Sequence, residues 1–261
     1  MPKIERHNPG AFCWFELGTT DQNAAKSFYT SLFGWSVTEY PMGPSGVYTT
    51  FQLQGQDSGA AYTLRPDQRA QGVPPHWLLY IATDNADEAA RRAGELGGKV
   101  YVPPFDVMEL GRMAVLADPT GAKFAVWQPK QKPGVGIRGI PGTVCWADLS
   151  TPDVDTAKKF YSGLFGWEIA AGEGDPSGYQ HIQNGSEFIG GVPPAAHRNP
   201  QTPPHWLIYF LIAECDASAA KAKQLGAEFL LPPQTIPHVG RMAIAKDPQG
   251  VIFALFEPER K

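Results

Sequence analysis

Bulky apolar positions crowd Phe12-Cys13-Trp14-Phe15-Glu16-Leu17, and the period then changes: Ala24, Ala25, Phe28, Tyr29 and Leu32 recur every three or four residues. The first stretch predicts a strand over 12–18 and the second the buried face of a helix. Thr20 or Asp21 offers that helix an N-cap, and Gly34 offers the left-handed residue that closes it. Short runs at 35–40, 47–54 and 58–64 predict three more strands, separated by Pro41-Met42-Gly43-Pro44-Ser45-Gly46 and by Gly55-Gln56-Asp57. Past a polar loop from Arg65 to Gly72 the same order returns. It gives a strand at 76–82, a helix at 87–96 ended by Gly97-Gly98, and a strand at 99–107 broken by Pro103-Pro104. A hairpin of 112–117 and 123–127 follows, turning on Asp118-Pro119-Thr120-Gly121. One βαβββ unit thus follows another.

The text then repeats. Thr143-Val144-Cys145-Trp146-Ala147-Asp148-Leu149 reopens the first strand, 132 residues on (13 to 145), and Leu164-Phe165-Gly166-Trp167 echoes Leu32-Phe33-Gly34-Trp35 at the same shift. Pro74-Pro75-His76-Trp77-Leu78 returns as Pro203-Pro204-His205-Trp206-Leu207 at a shift of 129 (76 to 205). Gly111-Arg112-Met113-Ala114 and Asp118-Pro119-Thr120-Gly121 return likewise as Gly240-Arg241-Met242-Ala243 and Asp247-Pro248-Gln249-Gly250. The chain reads as a tandem duplication with a Gly-, Pro- and Lys-rich linker at 129–141. Units at 12–65 and 75–128 make a first domain over 10–130, and units at 143–195 and 204–258 a second over 140–258. The predicted class is α+β, with two βαβββ units in each of the two tandem domains.

Composition narrows this little. With 261 residues, 43% apolar and 18% charged, the chain is long enough for two cores. No run reaches the length of a membrane span, and Met1-Pro2-Lys3-Ile4-Glu5-Arg6-His7 lacks the apolar stretch of a secretory signal, so the expected location is cytoplasmic, with no membrane partner. A net charge of −4 with scattered Lys and Arg gives no reason to expect nucleic acid as a partner. The three cysteines, Cys13, Cys145 and Cys215, make no paired framework and read as buried thiols. No nucleotide-binding glycine loop and no Gly-x-Ser-x-Gly elbow occurs.

Lys26-Ser27-Phe28-Tyr29 through Leu32-Phe33-Gly34-Trp35, its copy in the third unit and the two Asp-Pro-x-Gly hairpins resemble the vicinal oxygen chelate superfamily of glyoxalases, extradiol dioxygenases and bleomycin resistance proteins. The resemblance covers 10–258 and is strongest to two-domain glyoxalase-like proteins of the mycobacterial culture-filtrate antigen type. It implies that the two units of each domain pair into a curved mixed eight-stranded sheet forming a cup with flanking helices, with a ligand inside each cup, and lyase, isomerase, dioxygenase or detoxification chemistry on an oxygen-rich substrate. It also implies a divalent ion held by His, Glu or Gln on the first and last strands of paired units. Counting along those strands brings Trp14 and Trp146, Trp77 and Trp206, and Ala125 and Ala254 to the ligand positions. Indole and methyl groups hold no such ion. No metal or other cofactor is therefore expected, unless a shift of one residue makes ligands of His76 and His205 and restores a metal-dependent dioxygenase. Glu257 falls on the opposite face from Ala254.

On the expected cup wall Trp14 shares a face with Glu16, and Trp146 with Asp148. These carboxylates are the candidate catalytic groups, as a general base or as the anchor of a hydroxylated ligand. Trp14, Trp77, Trp146 and Trp206 are candidate ligand-binding side chains, equally readable as core. Arg112 and Arg241 are candidate anion binders, equally readable as partners of an acid. The functional expectation is a small organic ligand, oxygen-rich or aromatic, in each cup. The alternative is a non-catalytic protein that sequesters a drug or metabolite. The chain is expected to be a monomer or homodimer.

Overall fold

The computed structural model describes residues 3–172 and 177–259. The first domain runs β1 (Phe12–Thr19), α1 (Gln22–Phe33), β2 (Ser36–Pro41), β3 (Val47–Leu53), β4 (Gln56–Thr63), α2 (Pro66–Ala70), β5 (His76–Ala82), α3 (Ala86–Glu95), β6 (Lys99–Val107), β7 (Gly111–Ala117) and β8 (Lys123–Pro129). The second runs β9 (Val144–Ser150), α4 (Val154–Phe165), β10 (Glu168–Ala171), β11 (Gln180–Asn184), β12 (Glu187–Val192), β13 (His205–Leu211), α5 (Cys215–Gln224), β14 (Glu228–Ile236), β15 (Gly240–Lys246) and β16 (Ile252–Pro258). The short helix α2 lies in the stretch read from sequence as loop, where Pro66 at its first turn pre-sets the backbone.

Each domain is one eight-stranded mixed sheet, ordered β2-β3-β4-β1-β5-β8-β7-β6 and β10-β11-β12-β9-β13-β16-β15-β14. The first strands of the two units lie side by side and antiparallel at the centre, β1 on β5 and β9 on β13. Capping follows the sequence. The Asp21 carboxylate accepts from the Ala24 amide and Gly34 takes φ 70° at the C-terminus of α1, and α4 repeats this with Asp153 and Gly166.

One face of each sheet carries the helices, and those faces pack together into a single core. Phe28 and Tyr29 of α1 lie against Phe253 of β16, and Phe160 and Tyr161 of α4 against Phe124 of β8. The crossing is reciprocal. The Trp35 indole donates to Gly142 O (2.8 Å) and the Trp167 indole to Gly10 O (3.0 Å), so each Leu-Phe-Gly-Trp motif ends on the chain entering the other domain's first strand. The Tyr29 hydroxyl likewise donates to Asp247 Oδ2 at 3.1 Å, in the hairpin turn of the opposite domain. The other face bears Glu16 of β1 in the first domain and Asp148 of β9 in the second, each met by tyrosine hydroxyls from neighbouring segments. These two faces are the cups.

Candidate functional site: two carboxylate-centred cups

Strand pairing decides which side chains face a cup. Across β1 and β5, Trp14 lies opposite Tyr80, Glu16 opposite Leu78 and Gly18 opposite His76, and residues opposite one another in an antiparallel pair share a face. Hydrogen bonds confirm it. The Tyr48 hydroxyl of β3 donates to Glu16 Oε1 at 2.8 Å, the Tyr80 hydroxyl to Oε2 at 2.9 Å, and the Trp14 indole to the Tyr48 oxygen at 3.2 Å. Ala125 pairs with Tyr80 across β5 and β8 and lies on the same wall.

The second cup is built on the same positions. Asp148 Oδ1 accepts from the Tyr179 hydroxyl (2.6 Å) and the Trp146 indole (3.1 Å), and Oδ2 from the Tyr209 hydroxyl (2.7 Å). The indole also reaches the Tyr179 oxygen at 2.8 Å. Leu207, Tyr209, Met242 and Ala254 form an apolar cluster separate from the main core, lining this cup with Trp146 and Phe256 packed against them.

Burial raises both carboxyls above their ordinary values, against the lowering effect of the tyrosine hydrogen bonds. The same burial, followed by the charge of the acid, pushes Tyr48, Tyr80, Tyr179 and Tyr209 up. The hydroxyls therefore stay protonated and serve as fixed donors. A carboxylate offers about four acceptor sites, and Glu16 has protein partners at two of them while remaining partly open to the cup.

Several expected site residues lie elsewhere. Trp77 and Trp206 face the helices, their indoles donating to the Tyr29 and Tyr161 hydroxyls at 3.1 Å in each case. Trp77 and Trp206 lie one residue out of phase with the cup face, since Glu16 and Asp148 pair with Leu78 and Leu207. Arg112 and Arg241 also turn away from the cups. Each grips an acid at the start of a helix, Asp87 at 2.7 and 2.8 Å and Asp216 at the same distances, and reaches a carbonyl, Pro104 O or Pro233 O. Glu257 Oε2 accepts from the Cys215 amide at 2.8 Å, as Gln128 Oε1 does from Ala86 at 3.0 Å, so these side chains tie a last strand to a helix N-terminus. The tyrosines were missed. The repeat carried a signal for them, since both halves keep a tyrosine at 80 and 209 and at 48 and 179.

The structure sets His76, not Trp77, on the cup side of β5, at its entrance: a methyl placed on Gly18 would lie 3.3 Å from His76 Cε1. His76 Nδ1 donates to Pro74 O (2.8 Å) and His205 Nδ1 to Pro203 O (2.9 Å), and burial holds both imidazoles below their ordinary value. The donor set does not fit a divalent ion. Each cup centre presents one carboxylate already bonded to tyrosines. Among the described residues no three of His, Cys, Asp and Glu converge as a site of three or four donors requires.

With two cups on two pseudo-equivalent sheets in view, comparison with known proteins gives the family. The model of the Glyoxalase/Bleomycin resistance protein/Dioxygenase superfamily matches residues 12–126 and 143–255, and the chain belongs to that superfamily. It is 40% identical over 266 residues to CFP32 of Mycobacterium bovis, a protein named as a glyoxylase, covering 99% of this chain and 98% of that one. It is 36% identical over 268 residues to the anthracycline biosynthesis protein DauV of Streptomyces sp., covering 97% and 95%. Among solved structures, the Mn(II)-bound glyoxalase from Novosphingobium aromaticivorans shares the fold with a TM-score of 0.66 at 15% identity, over 95% of this chain and 82% of that one. A catechol 2,3-dioxygenase does so with 0.62 at 12%, over 97% and 94%.

Proposed function

We propose that this glyoxalase-like protein binds a small aromatic or oxygen-rich organic molecule in its cups and handles it without a metal. Its carboxylate–tyrosine sets take the ion's place: Glu16 with Tyr48 and Tyr80, and Asp148 with Tyr179 and Tyr209. The observation that carries this is the Glu16 carboxylate, fixed by two hydroxyls at 2.8 and 2.9 Å on a wall of tryptophan, tyrosine and leucine, with acceptor capacity to spare. The apolar wall suits a flat ring, and the spare lone pairs suit a hydroxyl or enol on it. A carboxyl raised by burial sits nearer to neutrality, where it exchanges a proton with a bound enol or α-carbon more readily. Tyr48 and Tyr80 hold its orientation throughout. Similarity over nearly the full chain to a protein that carries a glyoxylase name and to an anthracycline biosynthesis protein supports a small organic molecule as the ligand class.

Sequestration without turnover is the second reading. It is favoured by the partners of the two carboxylates, which are tyrosine hydroxyls and an indole, groups that position an acid and supply no second one to share a proton transfer. One experiment separates these readings from metal chemistry. Protein purified without chelator is analysed for metals, melted with and without EDTA, and screened by ligand-observed NMR against aromatic hydroxy-compounds, with Glu16→Gln in parallel. Binding that survives EDTA and weakens in Glu16→Gln is expected. One ion per domain, or binding only after metal is added, would overturn the proposal.

A further inference from the structure

The two cups differ most at one end. Ala117 of β7 pairs with Lys99 of β6 on one side and Lys123 of β8 on the other, so both lysines lie on the cup face. One register step from the Tyr80–Ala125 pair, Lys123 falls level with Leu78, itself opposite Glu16. Lys123 and Glu16 therefore occupy one row of the wall, two strand spacings or about 10 Å apart. Tyr101 is the extra residue of the β6 bulge between Val100 and Val102, and both ammonium groups lie over its ring, Lys99 Nζ at 4.7 Å and Lys123 Nζ at 4.5 Å from the ring centre. Neither lysine has an ion-pair partner among the described residues. Two like charges on one exposed ring repel, and an exposed cation–π contact gains little against that. An anion between them removes the conflict.

The second domain lacks this arrangement. At the corresponding places, 129 residues on, stand Glu228, Leu230 and Ile252, with Lys246 paired in register to both Glu228 and Ile252. A carboxylate and a lysine share that end of the wall, and the charge is balanced.

We propose that Lys99, Tyr101 and Lys123 form an anion-holding end of the first cup, so that this cup selects a flat organic acid and the second cup does not. The acid's carboxylate or phenolate lies between the ammonium groups, and its ring extends about one ring system's length toward Glu16. This rests on the reading of the cups as ligand sites. The test uses 2-naphthoate and its uncharged match, 2-naphthamide, with the indole 15N–1H signals of Trp14 and Trp146 as reporters of each cup, assigned with Trp14→Phe and Trp146→Phe.

Naphthoate is expected to move the Trp14 signal at a concentration about tenfold lower than naphthamide, as loss of a partly exposed charge contact predicts. That preference should vanish in Lys99→Gln/Lys123→Gln, whose exposed side chains leave the melting midpoint in place, and should shrink at high salt. Trp146 should show no preference. Glu228→Lys with Ile252→Lys should confer one on it. Equal response of Trp14 to acid and amide, or a preference that persists in the double variant, overturns the anion site and leaves the cups as ligand sites. Silence of both indoles toward both compounds overturns the cup reading, and this one with it.

Discussion

The two cups hold the same kind of acid on unequal terms. Asp148 is 6% exposed and accepts three hydrogen bonds, from Tyr179, Tyr209 and Trp146. Glu16 is more open and accepts two, while its neighbouring indole goes to Tyr48 instead and carries the Lys132 ammonium 5.1 Å from its ring. Aspartate is one methylene shorter than glutamate, so its tyrosine must come closer. The chain makes room by putting Gly191 beside Asp148 where Ala60 stands beside Glu16. A methyl on Gly191 would lie 1.9 Å from the Tyr179 hydroxyl. The second cup thus closes around its acid, and the first leaves its acid available to a ligand.

The largest effect expected from breaking this contrast is Asp148→Ala, which strands three donors in a buried site. It should cost about 3–5 kcal/mol in denaturant unfolding. Glu16→Ala, with two donors closer to solvent, should cost about 1–3 kcal/mol. The opposite order would mean that the second cup is the open one.

Gly191→Ala should push Tyr179 off Asp148 and cost about 1–3 kcal/mol, with a shifted Trp146 indole signal. The mirror change Ala60→Gly should cost about 0.5–1 kcal/mol and leave the Trp14 signal in place. Equal effects of the two changes would show that the glycine does not compensate for the shorter acid.

Titration sharpens the comparison further. Both cup carboxyls are raised in the folded state, so the native protein holds protons that the unfolded chain releases. Their contribution to stability is fully present below the ordinary carboxylate range and is lost as pH rises through the folded value. Asp148→Asn and Glu16→Gln should each flatten that decline, so the gap between wild type and variant should narrow from about pH 4 upward. A gap that widens with pH would mean the tyrosine bonds outweigh burial. Asp87 and Asp216, lowered by Arg112 and Arg241, act with the opposite sign and should survive in both variants.

The smallest effect belongs to Arg112→Gln and Arg241→Gln. Each breaks an exposed pair with a helix acid, and neither should move the Trp14 or Trp146 signals. A shift at either indole would return these arginines to the cups.

How far the sequence could be read depended on the kind of signal. The duplication, the βαβββ order and the helix caps rest on local patterns, while the pairing of units into two eight-stranded sheets is what the family resemblance implied and the structure shows. The facing of Trp14 and Glu16 follows from alternation within a single strand. Trp77 does not, because its face relative to Glu16 depends on the register between β1 and β5, which pairs it with Leu17 and is set by tertiary packing. Tyr48 comes to Glu16 from 32 residues away on a strand that is not β1's neighbour, so the contact shows only in the folded sheet, although the repeat marks the position by keeping Tyr48 and Tyr179.

The reciprocal tryptophan bonds, Trp35 to Gly142 and Trp167 to Gly10, cast the chain as a dimer written into a single polypeptide. In a dimer of identical subunits, any residue gained by one cup is gained by the other. Fusion lifts that constraint: the halves stay bound through their shared aromatic core while their outward walls drift apart. A motif copied intact between the halves is therefore what frees the rest to differ, and a half expressed alone would bare an aromatic face made to meet its twin.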